Sequence, residues 1–529
     1  MASSSDREKV LSTRRDFIRQ AACAAVGTAA LTQTISDLRI INAAMAVQPA
    51  ASDYKALICL FMSGGNDANN WIVPTDATGY GDYFNARNGT LALLQTDLQA
   101  NNLQNAQGAD YTDADGHTYG FHPASVGLRS LFNQGKLATL FNVGTLVYPL
   151  TKATYSANSV PRPPQLFSHS DQVTHWQTSL PDQPPLTGWG GRCADLLDAV
   201  NTSNGGKISL GVSLAGANTY EVGSNTSFYS VSTSGAVALA LPGDKTGNVK
   251  TRQQMMRDLL GLSKTDPNLQ FQAYSNVLDH SITTGSDLTS AISDTTNNPA
   301  YSYLNTNGAT NFPNIVPLSG NAFSSNLMAQ LKMVARLIEA GSRSVARNGL
   351  GMRRQIFFVN VGGYDTHTNQ VGADPKTGSH SNLHAELSQS ILAFYNGLLA
   401  IGGSTDPIQS NMQNRVTLFT ASDFGRTLQS NGQGSDHGWG SHHIVVGGAV
   451  NGRQTFGKLP KLQVGGPDDT STGRWIPTTS VDQYAAALAK WFGTDTNNGG
   501  TPIRLISDSD LSNTIFPNLG RFGAIPAIL

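Results

Sequence analysis

Charge is scarce in this 529-residue chain: Asp, Glu, Lys and Arg make up 13% of it, against the usual roughly 25%. The net charge is −1. With no basic patch or stripe, neither nucleic acid nor an anionic membrane surface is expected as a partner. Cysteine is almost absent. Of the three, Cys23 lies near the N-terminus, Cys59 in an apolar run and Cys193 in a helical stretch. Two single buried thiols are expected from the last two, not a disulfide, and a thiolate metal site is excluded. No apolar run reaches the ~18 residues that a membrane-spanning helix requires, so no transmembrane anchor is expected in the mature part. Walker, Rossmann and nucleophile-elbow signatures are missing, as are haem, flavin and iron–sulfur motifs. Asp423-Phe424-Gly425 stands without the loops that accompany this tripeptide in kinases. What is present is core material: 39% of the chain is hydrophobic, with 54 glycines punctuating it.

The N-terminus carries an address. Ser12-Thr13-Arg14-Arg15-Asp16-Phe17-Ile18-Arg19 is a twin-arginine motif, followed by a mildly apolar, Ala-rich stretch from Ala21 to Leu31. Ala44-Met45-Ala46 then reads as a small-x-small cleavage site. Residues 1–46 are therefore expected to be a signal peptide read by the twin-arginine translocase. The mature protein is expected to be exported folded, to the periplasm or beyond.

Past the leader, apolar runs alternate with helical periodicity. Strands are expected at 55–62, 137–143, 355–361, 415–421 and 443–447, and helices at 123–135, 189–200, 327–338, 383–398 and 480–492. That alternation predicts an α/β fold, a mostly parallel sheet with helices on both faces. The stretch 202–325 is rich in Ser, Thr, Asn and Gly, with possible helices at 250–261 and 268–293. It is expected to be an insertion or cap that divides the core domain into 47–201 and 326–529.

Three of the strands end alike. Each runs into a glycine or serine turn and then an aspartate: Asp67, Asp365 and Asp423. Sites in open α/β sheets form beyond the carboxyl ends of strands, so these carboxylates are expected to converge; any one of them alone could be a turn or cap residue. Histidines cluster nearby, at His169 and His175, His367, His380 and His384, His437, and His442 with His443. Carboxylate and neutral imidazole together suit zinc or manganese, and carboxylate-rich sites suit calcium or magnesium. The i,i+4 pair His380/His384 lacks a zincin motif and is expected to be solvated or to sit behind the ligands. In Phe167-Ser168-His169-Ser170-Asp171, Ser168 or Ser170 is a candidate nucleophile at a helix start, with a capping box from Ser168 to Asp171 as the rival reading. Arg426 is a candidate clamp for an oxyanion.

Several of these segments together resemble the domain of unknown function 1501 family. They are Phe61-Met62-Ser63-Gly64-Gly65-Asn66-Asp67, Ser168-His169-Ser170-Asp171, Gly188-Trp189-Gly190-Gly191-Arg192, Gly363-Tyr364-Asp365-Thr366-His367, Ser422-Asp423-Phe424-Gly425-Arg426-Thr427, and Asp436-His437-Gly438-Trp439-Gly440-Ser441-His442-His443. That family looks like a distant branch of the alkaline phosphatase and sulfatase superfamily. The resemblance implies an alkaline phosphatase-like fold and one or two divalent ions (zinc, manganese or calcium) held by Asp67, Asp365, His367, Asp423 and His437, with His442 as rival to His437. Ser168 or Ser170 would be the nucleophile and a small anionic ester the substrate. Phe424 departs from the pattern, standing where a histidine ligand is expected; His442 or His169 would substitute, or a single ion would bind, or the site would be degenerate. Two functions follow: an exported metal-dependent hydrolase of phosphate or sulfate esters, or a non-catalytic exported cell-envelope or surface component on the same fold.

Overall fold

The computed structural model describes residues 51–87, 89–236, 252–263, 269–305, 310–496 and 501–529. The twin-arginine motif and the cleavage site lie outside these residues.

The first strand explains the architecture. β1 (Lys55–Met62) is buried at all eight positions. Its alternate side chains enter two different cores: Ala56, Ile58, Leu60 and Met62 face one, and Leu57, Cys59 and Phe61 the other. A strand covered on both faces reads as a continuous apolar run, as this one does. The other strands that matter here are β2 (Leu137–Gly144), β3 (Gly211–Ser213), β4 (Tyr229–Ser230), β5 (Arg354–Val361), β6 (Val416–Ser422), β7 (Arg426–Ser430), β8 (Ser435–His437), β9 (Ser441–Gly447), β10 (Thr455–Gly457) and β11 (Thr479–Ser480). Nine of them form one sheet in the order β10-β2-β9-β6-β1-β5-β3-β4, with β11 also paired to β2. β9 runs antiparallel to both of its neighbours; the other pairings in this sheet are parallel. β7 and β8 form a separate hairpin.

The helices that matter below are α1 (Ala77–Arg87), α2 (Val126–Asn133), α3 (His169–Thr178), α4 (Trp189–Ser203), α5 (Arg252–Ser263), α6 (Leu269–Ile292), α7 (Asn326–Ser342), α8 (Ser379–Gly402) and α9 (Val481–Phe492). α7 and α8 bring Leu331, Val334, Ile338, Leu387, Ile391 and Phe394 to the first core. α4 and α9 bring Trp189, Leu197, Tyr484 and Leu488 to the second. The expected elements therefore form, most of them lengthened by one to four residues at their ends.

The stretch 202–325, expected as an insertion or cap, supplies the strands β3 and β4 at one margin of the main sheet. Leu288, Ala291 and Ile292 of α6 lie in the same core as β1 and α7. Cys59 and Cys193 are buried, unbridged thiols of the second core.

Candidate metal centre

The site begins where three adjacent parallel strands stop. Met62 at the end of β1 is in register with Val361 of β5 and Ser422 of β6, so their loops leave from one edge. The β1 loop turns at Gly64 (φ +114°) and Gly65 (φ +85°), where a side chain would be strained. A Cβ on Gly64 would also collide with the backbone at Asp365, and one on Gly65 with the Phe424 ring. This close approach lets Gly64 N–H donate to Asp423 Oδ1 at 3.0 Å, and lets the Gly64 carbonyl accept from Arg426 Nη1 at 3.1 Å.

Four side chains meet above that edge. His437 Nε2 lies 2.9 Å from His367 Nε2 and 3.1 Å from His169 Nε2. Asp365 reaches all three: Oδ1 is 3.1 Å from His367 Nε2 and 3.4 Å from His437 Nε2, and Oδ2 is 3.6 Å from His169 Nε2. Donors around a tetrahedral ion with bonds of about 2.0–2.1 Å stand about 3.3 Å apart, which is the middle of this range. The ligand atoms of His169, Asp365 and His437 all lie within 4.8 Å of one another, and His367 Nε2 touches two of these three.

The far side of each imidazole is fixed. His169 Nδ1 bonds Asp423 Oδ2 at 2.6 Å, His367 Nδ1 bonds Asp436 Oδ1 at 3.0 Å, and His437 Nδ1 bonds the Phe167 carbonyl at 2.8 Å. Carboxylates and carbonyls only accept, so each Nδ1 carries a hydrogen, and a neutral ring so held presents its Nε2 lone pair to the centre. Burial holds His437 below the ordinary imidazole range, which keeps it neutral. Burial would raise the Asp365 carboxyl, but the Arg426 guanidinium, with His367 and His169, outweighs it and holds that carboxyl low. Asp436 is likewise held low, against burial, by Asn431 and His367. The result is three Nε2 atoms and one carboxylate, all aimed at one point, with acceptors behind the rings as in metal sites whose histidines are oriented from outside.

Not every expected residue joins them. Asp67 is fully buried, and its carboxylate is spent on Arg87 of α1 and on Gln370. Burial pushes it up, Arg87 pulls it down further, and it stays ionised. Removing one partner of a buried ion pair costs about 3–5 kcal/mol. Asp67→Ala is therefore expected to lose stability of that order in urea denaturation while a folded fraction retains any bound metal; loss of metal at unchanged stability would contradict this placement. Asp423 stands behind His169, not beside it. His442 is buried in β9, where its Nδ1 accepts from Asn142 N–H at 3.1 Å and its ring meets Phe141 edge-on. Arg426 is no oxyanion clamp: it is 1% exposed and holds Asp365 Oδ1 at 2.7 Å and the Ser435 carbonyl. His380 and His384 are not solvated. They are buried with His122, their rings 4.1 Å apart, and His384 stacks on Trp71.

Ser168 is the N-cap of α3, as a capping box would have it, but its hydroxyl does not bond the backbone. It donates to Asp171 Oδ2 at 2.5 Å, and the Ser170 hydroxyl lies 3.2 Å away. Phe424 packs its ring on His169 and His437, with centroids 4.8 and 4.6 Å apart. Asp436 was not read as a site residue; its signal was adjacency to His437.

Fold and site together define an α/β protein with a candidate three-histidine, one-aspartate metal centre at the carboxyl edge of a mostly parallel sheet. The chain belongs to the DUF1501 family, described as "Protein of unknown function (DUF1501)", which matches residues 54–483. That span opens one residue before β1 and contains the whole centre. No curated protein matches the chain.

Proposed function

We propose that this protein is an exported, metal-dependent hydrolase of phosphate or sulfate esters, distantly related to alkaline phosphatases and sulfatases, and that it uses one ion held by His169, Asp365, His367 and His437. The observation that carries this is the meeting of the three Nε2 atoms. They stand 2.9 and 3.1 Å apart, with each Nδ1 committed to an acceptor, and neutral rings so placed repel unless a cation lies among them. Three nitrogens and a carboxylate suit zinc or manganese better than calcium. The side chains of Asp365 and His367 are 47% and 41% exposed, which favours a centre with an open position over a closed structural one. One ion fits better than two, because Asp67 is committed to Arg87 and an apolar ring stands at Phe424.

A bound ion would supply positive charge to polarise an ester oxygen. The chain's own part is nucleophile and proton acceptor. Ser168 is preferred to Ser170, since its hydroxyl is 2.5 Å from Asp171 Oδ2 and that of Ser170 is 3.4 Å away. The start of the ten-residue α3 favours an anionic group beside it. Export rests on the twin-arginine motif and implies a periplasmic or secreted destination. Among the described residues no helix is long and apolar enough to cross a membrane.

The second reading is a non-catalytic envelope or surface protein with a structural ion. Phe424, in the place of an expected ligand, favours it. The two separate cleanly. The full chain, expressed with its leader in a host with a working twin-arginine system, is analysed for metals and screened on phosphate and sulfate monoesters. Hydrolysis abolished by Ser168→Ala with metal content unchanged is the expected result. One equivalent of metal, a melting temperature lowered by chelation and no turnover would establish the second reading instead.

A further inference from the structure

Arg426 is buried and paired with Asp365, so its guanidinium is not free for an anionic ester, and a different arginine stands at the rim of the centre. Arg474 lies in the loop before α9. That loop is fixed by Asp469, fully buried, whose Oδ1 accepts from the backbone N–H groups of Gly473 and Arg474, both at 2.9 Å. The Arg474 guanidinium lies over the Phe167 ring at 4.8 Å. Its Nε donates to the His437 carbonyl at 2.7 Å, and Nη1 donates to Ser471 Oγ at 3.0 Å. It therefore rests on the two residues joined by the His437 Nδ1 to Phe167 carbonyl bond. Among the described residues no carboxylate forms an ion pair with it, in contrast to Arg426, Arg87, Arg343 and Arg354. Among the described residues its Nη2 makes no hydrogen bond, while Nε and Nη1 do.

We propose that Arg474 is the arm that binds the tetrahedral oxyanion of the substrate, a role that rests on the hydrolase reading above. The chemistry is specific. A half-buried guanidinium stacked on an aromatic face keeps its charge and its planar donor fork, and it is poorly hydrated. Such a group pairs with a phosphate or sulfate oxygen better than an ammonium does. Two contacts aim it: the stacking on Phe167 and the bond to His437. The Nη2 donors remain for the ligand. Arg426 then acts as a positioning residue for Asp365, and the two arginines divide what the sequence suggested was one task.

The test uses the metal-loaded full chain and two probes, inorganic phosphate and inorganic sulfate, each titrated calorimetrically at fixed ionic strength. Wild type is expected to bind at least one; the one bound more tightly indicates the ester class. Arg474→Gln is expected to weaken that binding by about tenfold to hundredfold, as losing a charged hydrogen-bonding partner does, with metal content and melting temperature unchanged. Equal affinity in Arg474→Gln and wild type overturns the assignment and leaves the hydrolase reading intact. If wild type holds its metal and binds neither anion, both fall. Should Arg474→Gln fail to fold, Arg474→Lys decides: it keeps the charge but loses the fork, and undiminished affinity in it overturns the proposal.

Discussion

His437→Ala protein is expected to emerge from purification folded but with less than about a tenth of the wild-type metal, and to hydrolyse no ester. His437 is the hinge of the centre, since its Nε2 is the atom within 3.1 Å of both other imidazoles. Removing it takes one of four donors and separates the remaining two nitrogens. The fold should survive. The imidazole is partly exposed, and what it leaves behind is the Phe167 carbonyl, which water can reach. A graded partner is Asp423→Asn. Its amide oxygen keeps the bond from Gly64 N–H, which turns the NH2 toward the His169 Nδ1–H, donor against donor, and replacing such an outer carboxylate typically costs about 10- to 100-fold in metal affinity. Elemental analysis and competition with a chromogenic chelator measure both. Wild-type metal content in His437→Ala would refute the centre as drawn.

The second large effect is acid lability. His122 and His443 are pushed by burial down to about 3, His380 and His442 to about 4, and His384 well below the ordinary value. Each stays neutral in the fold at pH values where the unfolded chain, titrating near 6.5, takes up a proton. A depressed folded pKa gives stability that is full above about 6.5 and is lost as pH falls towards the folded values. Carboxyls raised by burial oppose this, Asp198 and Glu339 as well as Glu221 and Asp482. Burial raises Glu221 to about 8 and Asp482 to about 7, so between about pH 5 and 6.5 they stay protonated in the fold and ionise on unfolding. Five histidines less these two carboxyls leave about three protons taken up on unfolding near pH 5, or about 4 kcal/mol per pH unit there, and less nearer pH 6.5, where the unfolded histidines are only half protonated. Typical total stability is about 5–15 kcal/mol, so two units below neutrality remove much of it. Melting temperature should fall steeply between pH 6.5 and 5. His384→Phe, which keeps a ring on Trp71, should make that fall shallower. A flat profile across this range would count against the buried imidazoles being neutral.

How much of this could be read beforehand depends on range. β1, β5 and β6 were legible because strands buried on both faces are apolar throughout and because glycine or serine closes each of them. Asp365, His367 and His437 were legible because strand-end loops gather where parallel strands stop. Asp67 looked equivalent to Asp365, but its fate is set by Arg87, twenty residues later on a helix of weak apolar pattern, and no local signal joins the two. Arg426 and His437 face each other across a hairpin with an irregular register, which turns the arginine inward behind Asp365. The pair His380/His384 lacked a zincin motif and was open to solvent or to a place behind the ligands, because i,i+4 spacing puts both on one helical face without saying what covers it; here α8 is buried along most of that face and meets His122. These are all contacts between distant segments, decided by packing and not by neighbours in the chain.

The main sheet tapers at its margins, to the two residues of β4 on one side and the three of β10 on the other. A second molecule looking for a template to extend would find very few free backbone groups there, and short edges of this kind discourage strand addition between chains. The long strands, which would polymerise readily if they lay at a border, are kept in the interior. Concentrated solutions of the folded protein should therefore resist fibre formation.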